Sequence, residues 1–216
     1  MIVTIDGPAG AGKSSAARLL ALLLGWEYLD TGAMYRAVTL AGVRAGVDLN
    51  DQQALAHLLK KMRLELPAGK VLLNGEDVSK EIRDPQVTAQ SGAVANSRLV
   101  RERLVAWQRA IAEGRDMVCE GRDQGTIVFP DALCKFFLLA DPTERARRRH
   151  RELLGRGDTI SLEEILEAQT ARDRRDAARD IAPMVPAGDA IVLDSTGMTI
   201  DEVVEFMRRE VERKRL

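Results

Sequence analysis

Apolar positions along the chain follow two rhythms. Short continuous runs end in Gly or Asp: IVTID at Ile2–Asp6, DMVCE at Asp116–Glu120, CKFFLLA at Cys134–Ala140 and AIVLD at Ala190–Asp194. Runs of that kind predict short buried strands. Trp26–Asp30 reads as one more. Between them apolar residues recur at helical spacing, over Lys13–Leu24, Ala33–Ala45, Gln52–Met62, Pro85–Ala95, Arg98–Glu113, Pro142–Leu154, Ser161–Asp180 and Ile200–Arg213. Ser161 with Glu164 three residues on makes a capping-box start. The alternation predicts an α/β fold, a parallel sheet with helices on its faces. It breaks once. Arg63–Leu66 and Val71–Leu73 read as strands, and Asn74-Gly75 supplies a tight turn before Glu76–Ile82, a small hairpin insertion. Gly155–Thr159 reads as a flexible loop. No internal repeat or low-complexity segment is evident.

Composition narrows the class. The 216 residues fit one α/β domain with insertions. A net charge of −1 argues against a broad nucleic-acid or membrane surface. Arginine supplies 25 of the 32 basic residues, and its planar fork suits phosphate. Cys119 and Cys134 sit in the apolar runs with no metal-ligand spacing, as reduced core residues would. Met1 leads straight into a strand with no signal-like segment, so a cytoplasmic protein is expected.

One motif carries chemistry. Gly7-Pro8-Ala9-Gly10-Ala11-Gly12-Lys13-Ser14 fits G-x-x-x-x-G-K-[ST], with a strand before it and a helix after. Glycines let backbone N–H groups turn inward around phosphate oxygens, and the helix start favours an anion. Lys13 reaches the β/γ-phosphates, and the Ser14 hydroxyl can ligate Mg²⁺. The loop therefore predicts a nucleoside triphosphate, ATP, as ligand. It does not choose among kinase, switch GTPase and motor. No Asn-Lys pair exists to read guanine, and Asp194-Ser195-Thr196-Gly197 comes too late for a switch. Asp116–Glu120 is a weak candidate for a motor's catalytic strand. A small kinase remains, and it predicts a second anion site rich in Arg and a basic lid.

Both are present. Thr31 can cap the helix in Asp30-Thr31-Gly32-Ala33-Met34-Tyr35-Arg36, and Arg36 projects further along it. Arg122 and Asp123 follow a buried strand, where parallel-sheet ligands bind. Arg145, Arg148 and Arg149 share a helix face beside a Gly-containing loop. Arg172, Asp176 and Arg179 share another. His57 and His150 lie in no motif.

These segments resemble the bacterial cytidylate kinases, a branch of the P-loop nucleoside monophosphate kinases. The resemblance rests on VTIDGPAGAGKSS, LDTGAMYR, LNGEDVSKEIR, EGRDQGTIVFPDA, RDRRDAARDIAPMVPA and IVLDST, which spread from Val3 to Thr196. It implies a P-loop fold with a five-stranded parallel core (1–33, 98–141, 181–216), a nucleotide-binding insertion (about 34–97) and a lid (about 142–180). It implies that Gly7 to Ser15, Ser15 included, bind ATP, with Lys13, Arg122, Arg148 and Arg149 acting on the transferred group. Arg36 and Arg122 look like the arginines that hold the CMP phosphate, with Thr31 counted among the substrate contacts. Arg101 and Asp123 resemble the cytosine readers, Arg172 and Asp176 the sugar contacts, and Arg179 a further substrate-site arginine. A family Ser that reads the base falls here at Gly92, and Ser91 is one residue early.

The activity implied is transfer of the γ-phosphoryl group of ATP, with Mg²⁺, to CMP or dCMP by a cytoplasmic monomer that binds neither nucleic acid nor membrane. Another acceptor (UMP, dTMP or a shikimate-type metabolite) and a non-catalytic ATP-binding regulator are the alternatives.

Overall fold

In the computed structural model, which describes residues 1–67, 69–155 and 157–215, the chain runs in order through β1 (Ile2–Asp6), α1 (Lys13–Leu24), β2 (Glu27–Asp30), α2 (Thr31–Arg44), α3 (Gln52–Lys61), β3 (Leu64–Glu65), β4 (Leu72–Leu73) and β5 (Glu76–Asp77). Then come α4 (Pro85–Asn96), α5 (Arg98–Ala112), β6 (Met117–Glu120), β7 (Cys134–Leu139), α6 (Pro142–Leu154), α7 (Leu162–Ala177), β8 (Ile191–Asp194) and α8 (Ile200–Arg215). The expected Gly155–Thr159 loop contains residue 156, which lies outside the described residues. Two units divide the chain. One comprises Met1–Leu29 with Ala112–Leu216, the other Asp30–Ile111.

The first unit is built on a five-stranded sheet of order β2-β6-β1-β7-β8. β1 pairs in parallel with both β6 and β7, and β7 pairs in parallel with β8. The expected parallel core is present. The central strand is buried from Val3 to Asp6, which is why its sequence is a nearly continuous apolar run. Val3, Ile5, Val118, Phe136 and Leu138 pack with Leu20 of α1 and with Val203 and Met207 of α8 in one core cluster. Cys119 and Cys134 are free and buried in this sheet. Burial pushes the Cys134 thiol up to about 11, and that of Cys119 higher still, so both stay protonated and inert. α6 packs along α7. Asp141 caps α6 by accepting the Thr143 and Glu144 amides, with Pro142 at the first helical position. Ser161 and Glu164 form the expected capping box at the start of α7.

In the second unit α2 packs against α4, and β3, β4 and β5 form a small antiparallel sheet. Asn74, at φ 52°, makes the hairpin turn, and its Oδ1 accepts the Arg63 amide at 2.8 Å. The run from Glu76 to Ile82 is not one strand. Ser79 N donates to Asp77 Oδ1 at 3.0 Å, an Asx-type turn that ends β5, and a 3₁₀ turn follows at Glu81–Arg83. A second departure concerns Thr31. It is the first residue of α2, and Asp30 is the cap, its carboxylate accepting the Ala33 amide at 2.8 Å. Aspartate is the better acceptor at that position and faces a positive helix end.

Candidate active site

The loop Gly7–Gly12 joins the end of β1 to the start of α1. Gly7 has φ 135°, and a Cβ there would collide with the Leu138 carbonyl oxygen, so only glycine lets the chain turn beside β7. Gly12 takes the N-cap position in a left-handed conformation, and no side chain among the described residues caps the helix. The first amides of α1 therefore remain available to an anion. Ser14 and Ser15 are exposed at this helix start.

Lys13 is buried, and its Nζ donates to the Pro8 carbonyl at 2.6 Å, arching over its own loop. Burial lowers its pKa most, and the positive fields of Arg122 and Arg172 add to that. Glu120 and Asp6 pull the other way, and the ammonium settles at about 7. Lys13 thus sits in a cation-rich environment that a polyanion would relieve.

Those cations gather on Asp176. Arg122 Nε donates to its Oδ2 at 3.0 Å, Arg172 Nε lies 4.0 Å from the same oxygen, and Arg179 Nη2 donates to Oδ1. α7 supplies Arg172 and Asp176 one turn apart, and Arg179 follows just past the helix end. Burial works to raise the Asp176 pKa, but Arg122, Arg179 and Arg172 override it and hold the carboxyl below its ordinary value. Three guanidinium groups on one carboxylate leave donors over. Arg179 Nε is buried with no hydrogen-bond partner among the described residues, which suits an anionic ligand. Asp123 is buried beside Arg122, at the start of a π-helical turn over Gln124–Val128 that the sequence pattern did not announce.

α6 and α7 meet the phosphate loop. Ala9 N donates to Asp173 Oδ1 at 3.1 Å, and Arg145 Nη1 donates to Ala9 O at 2.8 Å and to Asp173. Arg148 reaches the other side of the loop. Its Nη1 lies 3.9 Å from where a Gly12 Cβ would stand, and its Nη2 donates to Ser195 O at 2.7 Å. Arg149 does not join them. It pairs with Glu152 at 2.7 Å and is about a third exposed.

The expected residues of the second unit are Thr31, Arg36, Ser91 and Arg101. Arg36 Nη2 lies 3.3 Å from Asp30 Oδ2, and Arg83 reaches the same oxygen at 3.4 Å. Arg36 Nε is buried with no hydrogen-bond partner among the described residues. Arg101 is buried, stacks on Tyr35 at 5.6 Å and donates to Ala95 O at 3.4 Å. Ser91 is buried and donates to Thr88 O at 2.7 Å, whereas a Cβ on Gly92 would meet open space.

Sequence reasoning passed over Asp6, Asp173 and Ser195 as site residues. Asp173 had a legible signal, since it lies between Arg172 and Asp176 on a helix beside the loop. Ser195 lay in plain view in IVLDST, but only its bonds to the Leu139 carbonyl and to Arg148 reveal its place beneath the loop.

Residues 3–213 match a family model described as cytidylate kinase. Among curated relatives, a cytidylate kinase of Rhodopirellula baltica is 52% identical over 98% of this chain and 92% of its own length. One from Pelotomaculum thermopropionicum is 49% identical over 95% and 93%. A solved structure of an uncharacterised protein from Eubacterium ventriosum superposes with a TM-score of 0.54 over 98% of both chains at 14% identity, a likeness of fold alone.

Proposed function

We propose, from the premise that this chain belongs to the cytidylate kinase family, that it transfers the γ-phosphoryl group of ATP to CMP or dCMP, giving CDP or dCDP and ADP. The observation that carries the reading is electrostatic. The buried Lys13 of the phosphate loop lies in the field of Arg122 and Arg172, two of the three arginines gathered with Arg179 on Asp176. A kinase of this kind must hold two polyanions, and these are the groups to hold them.

The acceptor is a phosphate monoester whose second pKa is about 6, so near neutral pH it is mostly a dianion and needs no general base. The difficulty is bringing a dianion to a triphosphate. Arg122 and Arg36 are the proposed holders of the acceptor phosphate, offsetting its charge and fixing its line of attack through forked hydrogen bonds. Lys13, the open backbone N–H groups of the loop and the first turn of α1 within Gly7–Ser15, and Arg148 are proposed to stabilise charge on the transferring group, with Arg149 joining them only on leaving Glu152. Asp123, Arg101 and Ser91 would read the base, and Arg172, Asp176 and Arg179 the sugar and its neighbours, with Thr31 a further contact. Binding energy would thus be concentrated on charge and geometry.

The Mg²⁺ that such chemistry uses fits the donor set. Ser14 offers one exposed hydroxyl oxygen at the helix start. Among the described residues no cluster of three His, Cys, Asp or Glu competes for a metal. Mg²⁺ takes few protein ligands and completes its shell with phosphate oxygens and water. Ser14 would hold it, and the ion would neutralise charge on the β- and γ-phosphates.

Residues about 34–97 are proposed as the nucleotide-binding insertion and about 142–180 as a lid that excludes water from the transfer. A monomer in the cytoplasm is proposed, binding neither nucleic acid nor membrane. Among the described residues no helix is long and apolar enough to cross a membrane.

An acceptor panel with ATP and Mg²⁺ tests the reading. CMP and dCMP should give the highest rates of ADP release, above UMP, dTMP, AMP and shikimate. Fastest turnover with shikimate, or ATP binding with no turnover on any acceptor, would refute it.

A further inference from the structure

Asp6 is the last residue of β1 and immediately precedes the phosphate loop. It is an acid at the bottom of an anion-binding site, an odd place for a negative charge. Its side chain explains itself by what it accepts. Oδ1 takes the Gln124 amide at 2.9 Å and Oδ2 takes the Gly125 amide at 2.8 Å, both bonds buried. These are the two amides directly after Arg122 and Asp123. The π-helical turn that follows begins at Gln124.

The same place is closed on its other sides. A Cβ on Gly125 would stand 3.0 Å from Thr4 Oγ1 and 3.3 Å from Lys135 Cδ, so the turn lies tight on β1 and β7. Gly121 N donates to Ile5 O at 3.1 Å, which ties the turn's other end to β1. The turn that carries Arg122 and Asp123 is therefore tied to β1 at both ends, by a backbone bond before the pair and by the two oxygens of Asp6 after it. Only a carboxylate can accept both amides, because an amide side chain would turn an NH₂ toward one of them. Burial raises the Asp6 pKa to about 6 while the two amides lower it, with Asp123 and Lys13 the charged neighbours that act on it.

We propose that Asp6 is a positioning residue for the acceptor nucleotide: through the Gln124 and Gly125 amides it fixes where Arg122 and Asp123 stand relative to the phosphate loop. The proposal rests on the reading of Arg122 and Asp123 as acceptor contacts. Asp6 is buried, and an anionic nucleotide has no donor to offer its carboxylate there, so its effect passes through the turn and not through direct contact.

Asp6→Asn tests it in the full-length enzyme. One turn amide loses its acceptor, and the pair should drift. The KM for CMP is expected to rise about tenfold, the scale of one buried donor left unpaired. Preference for CMP over UMP should fall, kcat at saturating CMP should fall less than KM rises, and affinity for a non-hydrolysable ATP analogue, measured without acceptor, should change less than about threefold. In an Asp123→Ala background, Asp6→Asn should take little more from base preference.

An unchanged CMP KM and preference would overturn the proposal. So would a loss of ATP-analogue affinity as large as the rise in KM, because Asp6 would then serve the phosphate loop. If Asp123→Ala alone leaves base preference intact, the site reading has failed, a result visibly distinct from failure of Asp6→Asn. Should Asp6→Asn not fold, amide exchange in the wild-type, nucleotide-free protein decides. Gln124 and Gly125 should be strongly protected, and rapid exchange at both would overturn the proposal.

Discussion

Replacing Lys13 with methionine sets catalysis against stability in one residue. The wild-type ammonium is buried and surrounded by Arg122 and Arg172, and its pKa falls from an ordinary 10.5 to about 7. In the unfolded chain the group is charged up to about pH 10.5. Between pH 7 and 10.5 the unfolded state therefore binds more protons than the folded one, and the folded state is penalised by about 1.4 kcal/mol for each pH unit below 10.5, up to the full shift below pH 7. At pH 7 that is roughly 4 kcal/mol. Methionine removes the charge and keeps a long, helix-compatible chain. It also removes the Nζ bond to Pro8 O, which returns about 1–2 kcal/mol of the gain. The nucleotide-free variant should thus be more stable than wild type by roughly 2–3 kcal/mol at pH 7, a rise in Tm of roughly 5–10 °C for a chain of this length. The advantage should shrink toward pH 9, because the cost of holding the folded lysine neutral falls as the pH approaches the unfolded value of 10.5. Turnover should fall by orders of magnitude, and ATP should raise the Tm of the variant less than that of wild type. Thermal melts at pH 7, 8 and 9, with and without ATP, make the measurement. A variant that melts below wild type at pH 7, or whose advantage does not decline with pH, would refute the account of Lys13 as a strained cation awaiting a polyanion.

Three further outcomes are expected. Gly7→Ala places a Cβ on the Leu138 carbonyl at a φ that L-residues rarely adopt, and should lower the Tm sharply or abolish soluble expression; a normal melt would contradict that geometry. The amide shifts of Gln124 and Gly125 should titrate together with a midpoint near pH 6, because burial of Asp6 raises its pKa to about 6, and its protonation as the pH falls weakens both acceptors; a midpoint near 4 would deny the burial effect. Gly92→Ser meets open space in the interior of α4 and should stabilise the protein by about 0.5 kcal/mol through helix propensity, while raising the preference for CMP over UMP if the serine reaches the base; a destabilised variant would contradict the open space.

The order and kind of the main elements were legible because the buried strands are unbroken apolar runs and the helices carry explicit start signals such as Asp141-Pro142 and Ser161…Glu164. The phosphate loop was legible because its backbone geometry demands glycine at fixed spacing. The gathering of Arg122, Arg172 and Arg179 was half legible. Helical spacing put Arg172 and Asp176 on one face, but that Arg122 of another element closes on the same carboxylate is a tertiary fact. The π-helical turn was not legible at all, since it answers to two bonds from Asp6, over a hundred residues earlier in the chain. Arg149 shows the converse limit. Its spacing with Arg145 and Arg148 suggested a common face, and Glu152 a turn later claims it.

The way α6 and α7 are fastened bears on the lid proposed above. Their buried residues are few, Arg145 and Ala146 on α6 and Ile165 and Asp176 on α7, and half of these carry charge. The clasp at Ala9 consists of hydrogen bonds to backbone and an ion pair. Water can replace such bonds nearly one for one, so letting go of the loop exposes little that water rejects. Each helix is meanwhile finished at its own start by Asp141 or by the Ser161–Glu164 box and stays wound when released. As the proposed lid, the pair of helices would swing as a stiff paddle, its grip on Ala9 traded for bonds to whatever anion the loop receives.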